Sequence, residues 1–155
     1  MASLTSLYLC SRTVYAAVGS PTAKGARITA AAAAQLPEGC LINGVITNEA
    51  DLTAALKEFF TANKLPMNHV ALIAGGSQFM HRILTLPAMS EKKRMAVLSH
   101  ELASGGAEVK APLDDYMLLS RDAKTRVDTV LATRVEQSVI AGYDALAKAV
   151  GFKLY

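Results

Sequence analysis

The chain has 155 residues, of which 52% are hydrophobic and 19% are charged, and its formal net charge is +3. This length predicts one domain of ordinary size, or two small lobes that share a core. The apolar content excludes a disordered chain. The mild charge gives no sign of a nucleic-acid footprint, because the densest basic run is only Lys92-Lys93-Arg94.

The cysteines and the apolar runs indicate the compartment. Cys10 and Cys40 fit no metal or redox spacing and both lie in apolar segments, so we expect two buried, reduced thiols. No basic and apolar leader is recognisable, and no uninterrupted apolar run approaches the roughly 18 residues that a membrane span requires. We expect a cytosolic chain that lies against a membrane only through a partner.

The first residues predict a sheet. Leu4–Cys10 and Thr13–Gly19 are apolar runs on either side of the polar pair Ser11-Arg12, which favours a hairpin. Arg27–Gln35 is rich in alanine, which weakly prefers helix, but its position after two hairpin strands predicts a third strand. Leu41–Ile46 is a further short apolar run.

A helix and a buried strand follow. Asn48 is a suitable N-cap, and the acidic residues Glu49 and Asp51 favour the start of a helix. Apolar residues then recur at helical spacing at Leu52, Ala55, Leu56, Phe59 and Phe60. Val70–Ala74 is a continuous apolar run, which predicts a strand buried on both faces, and the glycines behind it mark a crease between two lobes.

The second half predicts another unit of strand, helix and two strands. The strand Phe79–Leu86 precedes a helix over Glu91–Ala103 that Ser90 caps, and Tyr116–Ser120 and Val127–Thr133 are the next two strands. A long helix is marked by Val135, Val139, Tyr143, Leu146 and Val150. Gly151 is its expected C′ residue, and Phe152–Tyr155 begins another strand.

Few residues form a pattern that catalysis or metal binding needs. The histidines His69, His81 and His100 lie far apart and show no metal-ligand spacing. Ser77 follows two glycines without the frame of a nucleophile elbow, and no phosphate-binding or dinucleotide fingerprint appears. The adjacent carboxylates Asp114-Asp115 are predicted to form a turn. We therefore expect no catalytic residue, no metal site and no enzyme.

Two motifs resemble segments of a known family. Leu36–Ile46 reads LPEGCLINGVI and resembles the LPEG-x-I-x-DG-x-I segment of the type IV pilus assembly protein PilM family. Arg82–Glu91 reads RILTLPAMSE and resembles the R-x-x-x-LP-x-MSE segment that leads into a helix in that family. Asp115-Tyr116 and Gly151–Leu154 also line up, so the resemblance covers nearly the whole chain in the family's order.

The resemblance implies an α/β (α+β) fold of the actin-like, ribonuclease H-like kind, related to the division protein FtsA. Residues 1–76 would be the N-terminal part of an actin-like lobe. Residues 77–155 would be an inserted strand-helix-strand-strand subdomain, with a closing helix and the start of a returning strand. It also implies a non-catalytic cytoplasmic scaffold of type IV pilus assembly, peripheral to the inner face of the cell membrane. Its partners would be the cytoplasmic tail of a PilN-like inner-membrane protein and other pilus assembly proteins, with homo-oligomerisation left open.

The chain departs from the family at the nucleotide-binding hairpin. The family's D-x-G-S-S-S-x-K turn aligns with residues 8–15. Tyr8 replaces the acid, which removes a carboxylate from a metal shell, and Cys10 replaces a glycine where backbone approaches phosphate. Ser11 and Thr13 keep hydroxyls, and Arg12 keeps a charge for an anion. We predict a degenerate nucleotide site at these five positions and no cofactor, ATP included.

The resemblance implies a groove between the two lobes for the partner's peptide, at the crease near residues 75–79. Alternate residues of the strand Phe79–Leu86 face opposite ways, and one face must cover the following helix. The residues assigned to the groove are Ser77, Met80, Arg82, Leu84 and Leu86. Two alternatives stay open: a nucleotide-dependent, FtsA-like assembly protein, which needs an acid at position 8, and the cytoplasmic domain of a type II secretion L-type protein.

Overall fold

A computed structural model describes residues 3–104 and 109–155 of the chain. The chain divides into two compact units. The first unit contains the residues up to Ser77 together with Ala141–Tyr155, and the second unit is Gln78–Ile140. The fold is of the mixed α/β class, as the sequence predicts.

The first unit is built on a five-stranded sheet. Its elements are β1 (Leu4–Cys10), β2 (Thr13–Thr22), β3 (Gly25–Gln35), β4 (Leu41–Ile42), β5 (Val45–Ile46), α1 (Glu49–Ala62), β6 (Asn68–Ala74), most of α3 (Gln137–Val150) and β10 (Lys153–Leu154). The strand order of the large sheet is β10-β6-β1-β2-β3. The pairs β1–β2 and β2–β3 are antiparallel, whereas β6 is parallel to β1 and β10 is parallel to β6. The strands β4 and β5 form a separate hairpin.

The core of the first unit confirms the predicted helical stripe. Leu52, Leu56, Phe59 and Phe60 of α1 are buried. They are joined in the core by alternate residues of β1 and β2 and by one stripe of α3, namely Leu7, Leu9, Val14, Ala16, Val18, Tyr143, Leu146 and Val150. The ring of Phe60 lies 4.6 Å from that of Phe152, between centroids. The first helix therefore holds the returning end of the chain.

The alanine-rich segment is a strand, as predicted, because β2 supplies ten backbone pairs to β3. Tertiary pairing here overrides the helix preference of alanine. Val18 pairs with Ala30 and Gly19 pairs with Ile28, so Thr29 is an extra residue, a β-bulge, in β3. After this bulge the strand runs regularly from Ala30 to Gln35.

Two glycine-containing loops of the first unit meet backbone to backbone. The turn between β4 and β5 has Asn43 and Gly44 at φ values of 50° and 82°. A Cβ atom on Gly44 would lie 2.6 Å from the carbonyl oxygen of Gly75, and a Cβ atom on Gly76, at φ 145°, would lie even closer to the carbonyl oxygen of Asn43. Only glycine permits this approach and these dihedral angles together.

The second unit is a three-stranded sheet covered on one face by a helix. It contains β7 (Met80–Pro87), α2 (Glu91–Ala103), β8 (Pro112–Asp122), β9 (Val127–Glu136) and the first residues of α3. The strand order is β7-β9-β8, and both pairings are antiparallel. The core between sheet and helix consists of Leu86, Leu98, Leu102, Val130 and Ala132.

Two buried ion-pair clusters join the helix and the sheet of the second unit. Asp128, which is fully buried, accepts hydrogen bonds from Arg94 of α2 and from Arg121 of β8. Asp114 accepts two hydrogen bonds from Arg134, whose second partner is the carbonyl oxygen of Ser99 in α2. The prediction of a turn at Asp114-Asp115 is therefore wrong, because both residues lie within β8 and pair with β9.

Three local expectations also need correction. Val135 belongs to β9 and not to the long helix, which begins at Gln137. Ser90 occupies the N-cap position of α2, but its side chain makes no capping hydrogen bond. Cys40 is buried, whereas Cys10 is exposed because it lies at the end of β1 on the face away from the core. Gly151 takes the positive φ, 96°, expected of a residue that follows a helix.

The division into units differs from the predicted boundary in one respect. The sequence groups everything after residue 76 together, whereas by packing Ala141–Tyr155 belongs with the first unit. The reason is that β10 extends the large sheet beside β6 and that α3 carries Tyr143, Leu146 and Val150 into the first core. No helix among residues 3–104 and 109–155 is long and apolar enough to cross a bilayer.

Candidate functional site

The hairpin turn between β1 and β2 holds the five residues of the predicted degenerate nucleotide site. Tyr8 and Tyr15 are cross-strand partners, and their rings are stacked with centroids 6.3 Å apart. The Cys10 thiol lies 3.8 Å from the Tyr8 hydroxyl, and this hydrogen bond raises the pKa of Tyr8. An aromatic pair and a thiol thus occupy the positions at which the sequence resemblance implies an acid and a glycine.

Arg12 at the tip of this turn is engaged within the chain. Its guanidinium lies 3.1 Å from the carboxylate of Glu38, and both side chains are largely exposed. Its carbonyl oxygen accepts a hydrogen bond from the backbone N–H of Leu36. A depression of about 340 Å³ lies beside the turn and is lined by Ser11, Arg12, Glu38, Gly39, Leu41, Ile42 and Asn43. One arginine already paired with one glutamate leaves little net charge for a polyphosphate.

The described residues offer no ready metal centre at this turn or elsewhere. Across residues 3–104 and 109–155, no group of three or more His, Cys, Asp or Glu side chains is arranged to hold a metal ion. The two buried aspartates of the second unit are saturated by arginines.

The β7 residues assigned to the partner groove lie on the face of the strand that packs against α2. Met80, Leu84 and Leu86 pack in the core of the second unit, against α2. Arg82 donates a 2.6 Å hydrogen bond to the carbonyl oxygen of Glu101 at the end of the same helix. These four side chains are occupied inside their own unit. Ser77, the fifth assigned residue, is exposed and belongs to the first unit.

The opposite face of the second sheet is open. Ile83 is 67% exposed, and it is in register with Leu131 of the central strand β9, which in turn pairs with Met117 of β8. These three residues form an apolar row across the sheet, which we call the outer row. The ring of Phe79 stacks on His81, whose Nδ1 lies 2.9 Å from the Thr133 hydroxyl. A polar row therefore borders the outer row on one side.

The alternation of residues in β9 is a sequence signal for the outer row. The strand β9 alternates buried and partly exposed residues, and its buried Val130 and Ala132 pair with Leu84 and Arg82 of β7. The sequence does not show this register. Once the register is given, the alternation in β9 assigns Ile83 to the open face. The sequence of β7 alone does not decide the matter, since both of its faces carry apolar residues.

The glycine loop after β6 has a structural explanation. Gly75 and Gly76 lie against the Asn43-Gly44 turn at backbone contact distance. This contact gives the loop a structural role, because it holds the loop against the β4–β5 turn.

No protein-family model matches the chain, and no curated protein sequence matches it. Among solved structures, the fold is similar to that of a chain in the "PilM-PilN type IV pilus biogenesis complex", with a TM-score of 0.84 and 16% sequence identity. The match covers 97% of this chain and 45% of that chain.

The likeness concerns the fold, and it extends over almost all of this chain. Since the match covers less than half of the other chain, it corresponds to one part of that protein. The chain has a mixed α/β fold similar to that of PilM, and the resemblance to the PilM family that its sequence motifs indicate is confirmed at the level of the fold.

Proposed function

We propose that this chain is a non-catalytic scaffold of type IV pilus assembly that binds the cytoplasmic tail of a PilN-like inner-membrane protein. One observation carries the proposal: 97% of the chain superimposes, at a TM-score of 0.84, on a chain of a complex that contains PilM and PilN. Such a scaffold works at the cytoplasmic face of the inner membrane, to which its partner holds it.

The architecture supports an actin-like assignment of the two units. In the order β10-β6-β1-β2-β3, the strands β10, β6 and β1 are parallel, whereas β1–β2 and β2–β3 are antiparallel pairs. We assign this sheet to the N-terminal part of an actin-like lobe. The second unit runs strand, helix, strand, strand and interrupts the first unit between Ser77 and Ala141. We take it as the inserted subdomain that the sequence resemblance implies.

The proposed contact surface for the tail is the open side of the second sheet around β7. A peptide can pair with an edge strand through its backbone while its apolar side chains rest on neighbouring exposed residues. The strand β7 is an edge of its sheet, and Ile83 near its centre is the most exposed large hydrophobic residue in the described part of the second unit. Leu131 and Met117 extend this apolar surface across the sheet.

A scaffold is preferred to a nucleotide-dependent assembly protein because of the β1–β2 turn. Tyr8 stands at the position of the acid, Cys10 adds a side chain at the position of a glycine, and Arg12 is paired with Glu38. Each feature weakens the binding of a magnesium–phosphate group, since the metal loses a ligand and the phosphate loses a free cation.

The test is direct binding of a peptide that copies the cytoplasmic tail of the PilN-like protein from the same genome. We expect fluorescence anisotropy to show saturable binding by the wild-type chain and weaker binding by Ile83→Asp. The matched control is Ile42→Asp, which changes a similarly exposed isoleucine in the hairpin of the first unit. Absence of binding to the folded wild-type chain would contradict the proposed function. Equal binding by Ile83→Asp and Ile42→Asp would show that the tail does not contact the outer row.

A further inference from the structure

The outer edge of β3 is an open strand edge of unusual composition. β3 lies at the end of the five-stranded sheet, and among residues 3–104 and 109–155 its one strand partner is β2. From Ala30 to Gln35 it runs without a bulge, and five of these six residues are alanine. Alternate backbone N–H and C=O groups of this segment point away from β2, and short methyl side chains leave them accessible.

The edge strand β8 of the second unit carries features that discourage strand addition, and β3 does not. The edge strand β8 begins at Pro112, contains Asp114 and Asp115 and has a register shift between Leu118 and Ser120. Proline, inward or edge charges and bulges are the usual means of blocking edge pairing. The segment Ala30–Gln35 has none of them.

The charges at the two ends of this segment are complementary to each other. Lys24 and Arg27 precede it, and both are exposed. Glu38 follows it, and Glu58 of α1 lies at the same end, where it lines a depression with Ala34 and Pro37. Glu38 already contacts Arg12. The charged groups at this end of the strand are therefore the carboxylates of Glu38 and Glu58 and the guanidinium of Arg12. The strand is therefore basic at its beginning and more acidic at its end.

We propose that β3 pairs antiparallel with β3 of a second copy of this chain, about a two-fold axis near Ala32 and Ala33. Antiparallel pairing brings the basic end of each strand to the acidic end of the other. Parallel pairing would instead place Arg27 beside Arg27 and Glu38 beside Glu38, and like charges in neighbouring strands are unfavourable. The two five-stranded sheets then form one continuous sheet across the axis. An isologous contact of this kind closes at two copies.

The first experiment measures association of the chain by sedimentation equilibrium from micromolar to submillimolar concentration. We expect a monomer–dimer equilibrium in the wild-type chain. The double variant Ala32→Lys/Ala33→Lys places four like charges at the axis and should weaken association by about tenfold or more. Ala145→Lys is the matched control, because Ala145 is an exposed alanine of α3. It should leave the dissociation constant unchanged.

A second experiment distinguishes antiparallel from parallel pairing of the two β3 strands. In a Cys10→Ser background, Ala33→Cys lies near the axis and should form an intermolecular disulfide on mild oxidation, whereas Ala26→Cys lies far from its counterpart and should not. Disulfides at both positions would mean parallel pairing and would overturn the proposal. So would a wild-type chain that stays monomeric throughout, or an unchanged dimer in the double lysine variant with a native circular dichroism spectrum.

Discussion

The hydroxyl of Tyr143 donates a 2.9 Å hydrogen bond to the carbonyl oxygen of Gly44, a residue 99 positions earlier in the chain. The bond is buried, and burial raises the pKa of Tyr143. It ties α3 to the β4–β5 turn, which in turn lies against the loop of Gly75 and Gly76. Three distant segments of the first unit therefore meet at Gly44.

Removal of this hydroxyl should destabilise the chain without changing its shape. Tyr143→Phe leaves the buried carbonyl oxygen of Gly44 without its side-chain donor, so we expect a loss of about 1–2 kcal/mol in the free energy of unfolding. Urea denaturation measures this loss. Tyr15→Phe is the control, because Tyr15 is 49% exposed. An equal effect of the two substitutions would show that the buried bond contributes nothing specific.

The Gly44 contact should be far less tolerant of a side chain than an open glycine of similar conformation. Gly44 and Gly39 have nearly the same φ, 82° and 78°. A Cβ atom at Gly44 meets the backbone of Gly75, whereas a Cβ atom at Gly39 meets nothing within 4 Å. Gly39→Ala should cost about 1 kcal/mol for its positive φ. Gly44→Ala should cost clearly more in the same urea titration, and equal costs would contradict the close approach.

Phe59 should make a large contribution to the first core. Its side chain is 4% exposed, and its ring makes an edge contact with Phe60 at 5.9 Å between centroids. Phe59→Ala removes this burial and leaves a cavity, so we expect a loss of about 3–5 kcal/mol. Thermal and urea unfolding followed by far-ultraviolet circular dichroism would measure it. A loss below about 1 kcal/mol would mean that α1 does not depend on this ring.

The buried aspartates should make the free energy of unfolding depend on pH in the acid range. Hydrogen bonds from Arg134 hold the pKa of Asp114 below its usual value, and hydrogen bonds and charge from Arg121 do the same for Asp128. The folded chain therefore binds fewer protons than the unfolded chain. The stabilisation is complete above the unfolded value of about 3.9 and is lost as pH falls toward the lower folded pKa.

Asp114→Asn tests this linkage in urea titrations at neutral pH and at about pH 3. The variant should be less stable than wild type at neutral pH and should lose less stability on acidification. Asp115→Asn serves as the control, since Asp115 is the exposed neighbour and forms no ion pair with the described residues. The same acid dependence in wild type and Asp114→Asn would argue against a stabilising ion pair with Arg134.

The chain should bind Mg-ATP weakly at most. The turn lacks an acid at Tyr8, and Arg12 is already paired with Glu38. We expect isothermal titration calorimetry to detect no saturable binding in the micromolar range. Tyr8→Asp with Cys10→Gly restores the two family residues and is the informative comparison. Micromolar binding by the wild-type chain would show that the turn has another way of holding phosphate.

Sequence periodicity predicted the elements well where local signals agree with tertiary pairing. The bounds of β1 and α2 are those expected, because alternation and helical spacing are uninterrupted over Leu4–Cys10 and Glu91–Ala103. β8 is longer than the predicted Tyr116–Ser120, since its ends carry Asp114 and Arg121. These charges resemble loop residues locally. Their partners lie in β9, which only the strand register reveals.

The candidate site was harder to predict than the fold. The five residues of the β1–β2 turn could be named because hairpin and motif coincide there. The faces of β7 could not be assigned, because Arg82 looks like a surface residue although it bonds to the end of α2. The local sequence does not distinguish an arginine that binds a helix carbonyl oxygen from an arginine that is free to bind a partner protein.

The insertion of the second unit has a consequence for biosynthesis. The chain leaves the first unit at Ser77 and returns at Ala141. During translation, β6 therefore has an unpaired edge, and Phe60 lacks the ring of Phe152, until the whole second unit has been made. The second unit is continuous in sequence from Gln78 to Ile140, so it can fold on the ribosome first, while the sheet of the first unit is still incomplete. That interval exposes apolar surface, so chaperones should be needed most just before the last strand emerges.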